Sequence, residues 1–224
     1  MRKGEEKRQE LLNAAEKLFC ARGYEGASVQ DILTAAGMSK GGFYHHFASK
    51  EEVMKALCAR RAERSAAYTV ELLSGAVTPM DRINAVLHGF MPLRREEAAF
   101  MAMLLPVIAS PEGRAVAMTY QDKLEEAFLP MLTAEVAAAV AGGVVCPPVK
   151  ESEPIILNIV NQCWMNIASV LSSADRQGLD RLNFLNTLVK YRRTIEVLLD
   201  APYGSIEIIR VEEWDETANR IRNA

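Results

Sequence analysis

Six side chains between positions 28 and 50 can hold phosphate oxygens: Ser28, Ser39, Lys40, Tyr44, His45 and Lys50. Hydroxyls, ammonium groups and ring N–H groups are the donors that fix a protein on a phosphodiester backbone. Gly41 and Gly42 stand among them. Each glycine costs about 1 kcal/mol against alanine in a helix interior. Their presence makes sense where an outside surface must approach the backbone closely. Phe43 and Phe47, at i and i+4, turn inward, which leaves Tyr44 and His45 outward. His45 and His46 are adjacent, and neighbours on a helix point about 100° apart. They do not form a metal pair, and His46 packs within the fold.

The elements that position these groups are written in local signals. Val29, Ile32, Leu33 and Ala36 have the spacing of one helix face. Ser28 caps that helix, with Asp31 three residues on, and Gly37 stops it. Met38 buries and Ser39 caps a second, two-turn helix over 40–47. Ser49, Lys50, Glu51 and Glu52 read as a full capping box that opens a third. Lys50 and the free amides beside it are thereby set to share one phosphate. Two helices joined by a short glycine-containing turn make a helix-turn-helix, whose second helix enters the DNA major groove.

The run Ala14, Leu18, Phe19, Gly23, Tyr24, then Ser28, Asp31, Ile32, Ala35, Gly37, Ser39, Gly41, Tyr44, His46, Phe47, then Ser49, Lys50, Glu51 resembles the N-terminal DNA-binding domain of the TetR (tetracycline-repressor) family. The resemblance covers residues 5–65, with the motif at 28–47. It implies a transcription factor that is a dimeric repressor, released from double-stranded operator DNA by a small molecule. It also implies DNA contacts at Ser28, Ser39, Lys40, Gly41, Gly42, Tyr44, His45 and Lys50. Gly42 departs from the small hydroxyl or alanine often found there. Base contacts are then few, and specificity leans on DNA shape.

Charge distribution fits this. The chain of 224 residues carries a net charge of −3. Residues 1–64 hold 12 Lys and Arg against 9 Asp and Glu, and the remainder 14 against 20, so a basic head sits on an acidic body. Arg2, Lys3, Lys7 and Arg8 crowd the start of a first helix over 5–22, against the helix dipole, which a nearby phosphate would relieve. No G-x-S-x-G, phosphate-binding loop or H-E-x-x-H occurs, so no catalytic residue, metal or cofactor is expected. The alternative to a repressor is a nucleoid-associated or protein-partnered DNA-binding protein. Cys20, Cys58, Cys146 and Cys163 show no zinc spacing. Cys20 and Cys58 read as small buried residues. With no signal peptide, the chain reads as reduced and cytoplasmic. No run is long enough to span a membrane, since 131–149 is broken by Glu135 and Pro147-Pro148.

The expected fold is all-α. Residues 5–65 form the DNA-binding head, 66–204 a helical ligand-binding and dimerisation domain, and 205–224 a tail without an assigned role. The linking helix runs 51–73, with a polar face at Arg60, Arg61, Glu63 and Arg64. Further helices follow over 79–91, 93–109 and 111–141, the last kinked or divided by Pro130. Two amphipathic helices, 154–173 and 180–199, close the body. They carry Ile156, Ile159, Val160, Cys163, Ile167, Val170 and Leu171, then Leu182, Leu185, Leu188, Val189, Ile195, Leu198 and Leu199. That is more apolar surface than one core face requires, so the pair is expected to meet a second copy as a four-helix bundle. A short strand is expected over 206–211. Between head and bundle lies a methionine-rich middle. An adaptable apolar pocket for an unidentified small-molecule effector is placed there. Its expected lining is His88, Met91, Phe100, Met101, Leu104, Met118, Tyr120, Asn161, Trp164 and Met165, with Gln162 as a further polar group.

Overall fold

The computed structural model describes residues 3–92, 97–111, 113–172 and 181–209, without the side chains of 3, 98, 168–172 and 181–184. Among the described residues there are nine helices and no strand. They are α1 (Lys3–Arg22), α2 (Val29–Ala36), α3 (Lys40–His46), α4 (Lys50–Gly75), α5 (Pro79–Phe90), α6 (Ala98–Ala109), α7 (Arg114–Ala141), α8 (Glu153–Ser172) and α9 (Arg181–Leu199). The fold is all-α, an N-terminal helix-turn-helix followed by a helical body. Arg2, the expected helix start at 93, Val211 and the tail from 210 lie outside the described residues, as do the side chains of Val170, Leu171 and Leu182.

Local chemistry explains most boundaries. Thr78 accepts from the Asp81 amide at 3.1 Å while the Asp81 carboxylate accepts from the Thr78 amide at 2.9 Å, and Pro79 fills the first position of α5. Three expectations need correction. α7 begins at Arg114 instead of 111, because Ser110 to Gly113 close a turn first: the Gly113 amide donates to the Ser110 carbonyl at 3.2 Å. A Cβ on Gly113 would sit 1.7 Å from the Val107 carbonyl oxygen. Pro130 does not divide α7, which runs unbroken to Ala141. Both Pro130 and Glu126, whose carbonyl loses its donor, are exposed, so water can replace the missing N–H. The expected strand is also absent over the described part. Residues 205–209 pack without a strand partner: Asn84 of α5 donates to the Ser205 carbonyl at 2.9 Å and accepts from the Glu207 amide at 2.9 Å. One side chain takes the place of a neighbouring strand, and Ile206, Ile208 and Ile209 bury beneath it.

The core is continuous from head to body. In the head, Leu11, Leu12, Ala15 and Phe19 of α1 meet Ile32, Leu33, Phe43, Phe47, Val53 and Leu57. In the body, α5 and α7 pack on α4, and Phe90 meets Phe128 edge to face at 5.3 Å. Arg82 of α5 donates to both carboxylate oxygens of Glu135 on α7, at 2.5 and 2.7 Å, and to the Leu73 carbonyl of α4 at 3.2 Å.

Two of the residues expected on the polar face of α4, Arg60 and Arg61, are instead held in an inter-helix ion cluster, while Glu63 and Arg64 are exposed. Arg60 reaches Glu16 of α1 at 2.6 Å and Asn13 at 2.7 Å, and Arg61 reaches Glu16 at 3.3 Å and Glu97 at 3.6 Å. Arg61 and Glu97 are buried, and the Arg61 guanidinium lies 4.6 Å from the Phe100 ring centre. The reading of Cys20 also fails. It lies beside the buried stripe of α1 and is exposed, whereas Cys58 and Cys163 are buried and their thiols are pushed up to about 12 by desolvation.

α4 and α5 approach closely at Gly89, where a Cβ would fall 1.8 Å from the hydroxyl of fully buried Thr69. That hydroxyl already donates to the Ser65 carbonyl at 2.8 Å and cannot move without losing its acceptor. Gly89→Ala should therefore destabilise the fold by about 1–3 kcal/mol through overpacking. A thermal melt should show a fall of several degrees, while Gly75→Ala, with open space at its Cβ, should show none.

Candidate nucleic-acid interface

α3 is short because its signals are close together. Ser39 takes an extended backbone and its hydroxyl accepts from the Gly42 amide at 3.2 Å. Phe43 and Phe47 are buried as expected and anchor the helix, with ring centres 6.3 Å apart. The opposite stripe carries Lys40, Gly41, Tyr44 and His45, all exposed. This is the i, i+1, i+4, i+5 set of one helix face, so four of the expected residues share a single outward surface. His46 is half-buried, its ring centre 5.0 Å from that of His45.

The two glycines differ. A Cβ on Gly42 would lie 3.0 Å from Met38 Cγ and 3.4 Å from Ser39 Oγ, so an internal contact already favours glycine there. A Cβ on Gly41 would meet nothing within 4 Å.

α2 is held in front of α3 by a full capping box. The Ser28 hydroxyl accepts from the Asp31 amide at 3.1 Å and donates to the Asp31 carboxylate, which also accepts from the Ser28 amide at 2.9 Å. Those hydrogen bonds, with Arg22 at 3.5 Å, hold the Asp31 carboxyl below its ordinary range. The Ser28 proton is thus engaged within the chain, unlike that of Ser39, whose hydroxyl acts as the acceptor in its cap. Gly37 closes α2 at φ 61°, a left-handed conformation that favours glycine.

Lys50 departs most from expectation. Its ammonium donates to the Tyr24 carbonyl at 3.0 Å, lies 4.1 Å from the centre of the Tyr24 ring and 3.7 Å from Glu25. It clamps the α1–α2 turn onto the first turn of α4. Burial, then Glu25 and Glu51, push the Tyr24 phenol up, so the ring under the ammonium stays neutral. The capping box at Ser49 is also shifted: the Ser49 hydroxyl accepts from the Glu52 amide, but the Glu52 carboxylate takes the Ala48 amide at 2.7 Å. Sequence reasoning treated Arg8 only as part of a basic terminus. Its guanidinium stacks 5.0 Å from the Phe47 ring centre, which carries the start of α1 to the end of α3. The aromatic residue after a short basic helix was the only available signal.

The expected pocket residues differ in burial. Met91, Phe100, Met101, Leu104, Tyr120, Asn161 and Trp164 are buried in the core, and Met165 is half-buried. Met118 is a correction: it is 58% exposed, because the inward stripe of α7 is Val116, Tyr120, Leu124 and Phe128 and Met118 lies about opposite. His88 lines a separate polar cavity of 240 Å³ with Asp81, Asn84 and Glu207. Gln162 is exposed.

Residues 11–57 match the sequence model described as bacterial regulatory proteins, tetR family. The chain is 32% identical over 125 residues to the HTH-type transcriptional repressor AcnR of Corynebacterium efficiens, covering 54% of this chain and 61% of that one. It is 34% identical over 80 residues to the HTH-type transcriptional repressor KstR2 of Mycobacterium tuberculosis, covering 36% and 40%. The matches therefore span about three fifths or less of these relatives. The structure of Salmonella enterica GusR superposes with a TM-score of 0.58 at 21% identity, over 87% of this chain and 96% of that one. A TetR-family regulator from Syntrophomonas wolfei gives 0.59 at 18% identity, over 86% and 96%. These likenesses extend the shared fold from the N-terminal helices to the helical body.

The geometry separates two lysines that the sequence had placed together. Lys50→Met removes a half-buried hydrogen bond and a ring contact, and should cost about 1–2 kcal/mol in a urea titration. Lys40→Ala on the exposed stripe should stay within about 0.5 kcal/mol of the parent protein. Equal stability of all three would mean that the Tyr24 clamp contributes nothing.

Proposed function

We propose that this chain, whose N-terminal helices belong to the tetR family of bacterial regulatory proteins, is a sequence-specific DNA-binding transcriptional regulator. It acts as a homodimeric repressor that leaves its operator when a small-molecule effector binds. The observation that carries the DNA reading is the exposed stripe of Lys40, Gly41, Tyr44 and His45 on a capped helix anchored by Phe43 and Phe47. α3 enters the major groove with Gly41 at the closest approach. Lys40, Tyr44 and the Ser39 hydroxyl hold phosphates, and Arg8 adds charge beside them. Lys50 and Ser28 contribute by fixing the backbone around α3. Few base-reading side chains leave part of the specificity to DNA shape. The names of the relatives, transcriptional repressors, support the regulatory reading.

Genomic footprinting tests this directly. One or a few palindromes beside promoters are expected, and broad, sequence-indifferent occupancy would favour a nucleoid-associated protein. On the bound duplex, Lys40→Ala should lower the slope of log affinity against log salt by about 1. Gly41→Ala should weaken binding while leaving the fold intact, because its methyl group meets nothing inside the protein. Unchanged affinity in Gly41→Ala would remove α3 from the groove.

For assembly, α8 and α9 each carry an outward apolar residue near the same end of the pair: Ile155 is 49% exposed and Val197 56%. Ile167, by contrast, is 4% exposed and belongs to the core of a single copy. We assign the dimer face to the outer surfaces of α8 and α9. Ile155→Glu with Val197→Glu should give folded monomers by sedimentation, since a buried interface does not accept unpaired charges. An intact dimer would move the interface elsewhere.

A further inference from the structure

A cleft of 610 Å³ separates the α1–α2 turn from α6, where the head meets the body. Tyr24 and Gly26 form one wall, and Ala102, Met103, Pro106 and Val107 form the other. The spacing 102, 103, 106, 107 is one stripe of α6, so the helix presents a single face to the space. That face is apolar, but it is not chemically blank. Pro106 lies inside α6 and brings no N–H to the carbonyl of Ala102, four residues before it. Proline thus leaves a backbone acceptor without its usual helical donor on the wall of an apolar cleft. The opposite wall offers an aromatic ring whose place is set from below, by Phe19 edge to face at 5.3 Å and by the Lys50 ammonium at 4.1 Å. At the rim Arg22 faces Asp31 at 3.5 Å and Glu25 faces Lys50 at 3.7 Å, so both charges are paired and, among the described residues, no free cation there favours an anion.

We infer that this cleft is a second small-molecule site, for a neutral or cationic aromatic molecule with one N–H or O–H donor. The ring lies between Tyr24 and the Met103–Val107 face, and the donor satisfies the Ala102 carbonyl. The inference rests on the DNA-binding reading only for its consequence. A ligand that displaces Tyr24 acts on the turn that Lys50 clamps to the start of α4, immediately after α3, and so changes the presentation of α3.

Indole has the required ring and donor, and 1-benzothiophene has nearly the same shape without the N–H. Calorimetric titration of the full chain should show saturable binding of indole, with benzothiophene weaker. Ala102→Leu, which narrows the cleft beside the Ala102 carbonyl, should weaken indole at least tenfold while its thermal melt confirms folding. Pro106→Ala restores the helical N–H, and should weaken indole about fivefold and benzothiophene not at all. Absence of saturable indole binding, or binding to Ala102→Leu as tight as to the parent, overturns the site. An unchanged indole-to-benzothiophene ratio in Pro106→Ala overturns the role of the Ala102 carbonyl. Anisotropy of a labelled 30-base-pair duplex at low salt then separates the two readings. If the duplex does not bind but indole does, the DNA reading fails and the cleft stands. If the duplex binds and indole leaves its affinity unchanged, the coupling fails.

Discussion

Glu16 is the constraint on which the arrangement of head and body depends. Its side chain, 18% exposed, faces Arg60 at 2.6 Å, Arg61 at 3.3 Å and Arg64 at 3.9 Å. Arg61 in turn faces Glu97, whose side chain is 1% exposed, at 3.6 Å. A buried ion pair gains little net stability, because desolvation offsets the Coulomb attraction. Breaking one is expensive, about 3–5 kcal/mol, because a charge is then left without compensation. The cluster therefore acts through selection. Any packing of α1 on α4 that separates these groups is excluded, and so is any path of the chain that carries Glu97 away from Arg61. One set of charges fixes α1, α4 and the entrance to α6 together.

That fixation gives α4 its mechanical character. From Lys50 to Gly75 it contains no proline and no glycine before its last residue, and it spans roughly 39 Å at 1.5 Å per residue. At one end Lys50 holds the turn that supports the helix-turn-helix. In the middle Arg60 and Arg61 hold α1 and the approach to α6. Toward the other end Thr69 is locked against Gly89 of α5, and the Leu73 carbonyl takes a hydrogen bond from Arg82, which itself holds α7 through Glu135. A displacement among α5 and α7 has few soft places in which to dissipate before it reaches the head. In the effector reading proposed above, a ligand would move this system only by binding one arrangement better than another, with α4 as the transmitting element.

The local parts of this structure were legible in the sequence, and the long-range parts were not. Ser28 with Asp31, Thr78 with Pro79, and Gly37 act within four residues, so residue type and spacing determine the outcome. Arg60 and Arg61 read only as part of a polar face because nothing nearby reveals Glu16, which is 44 residues before Arg60, or Glu97 beyond. The contact of Lys50 with Tyr24 was hidden for the same reason: its partner is 26 residues away. Met118 was assigned by composition, whereas the phase of α7 decides which residues turn inward. The strand-like run after 205 has the right alternation, but a strand needs a neighbour, and Asn84, more than 120 residues earlier, supplies its pairing from a helix. Four of the residues expected at the DNA surface, Lys40, Gly41, Tyr44 and His45, were found on one stripe because all four lie within six positions of one capped helix.

Gly41 carries the argument from structure to function further than the charged residues do. Exposed lysines and histidines occur on most surfaces and require no partner. A glycine within a helix works against the helix, by up to about 1 kcal/mol, and needs a compensating reason. For Gly42 the reason is internal, since a methyl group would press on Met38 at 3.0 Å. Gly26, in the turn between α1 and α2, likewise has an internal reason, since a Cβ would fall 2.3 Å from the Arg22 carbonyl oxygen. Gly41 has neither a neighbour within 4 Å nor a left-handed backbone. No described residue calls for the absence of a side chain there. The DNA reading proposed above supplies a reason, a surface that comes close enough for a methyl group to obstruct. Beside Lys40 and Tyr44, and at the start of a helix capped by Ser39, that surface is best matched by the backbone and groove of a DNA duplex.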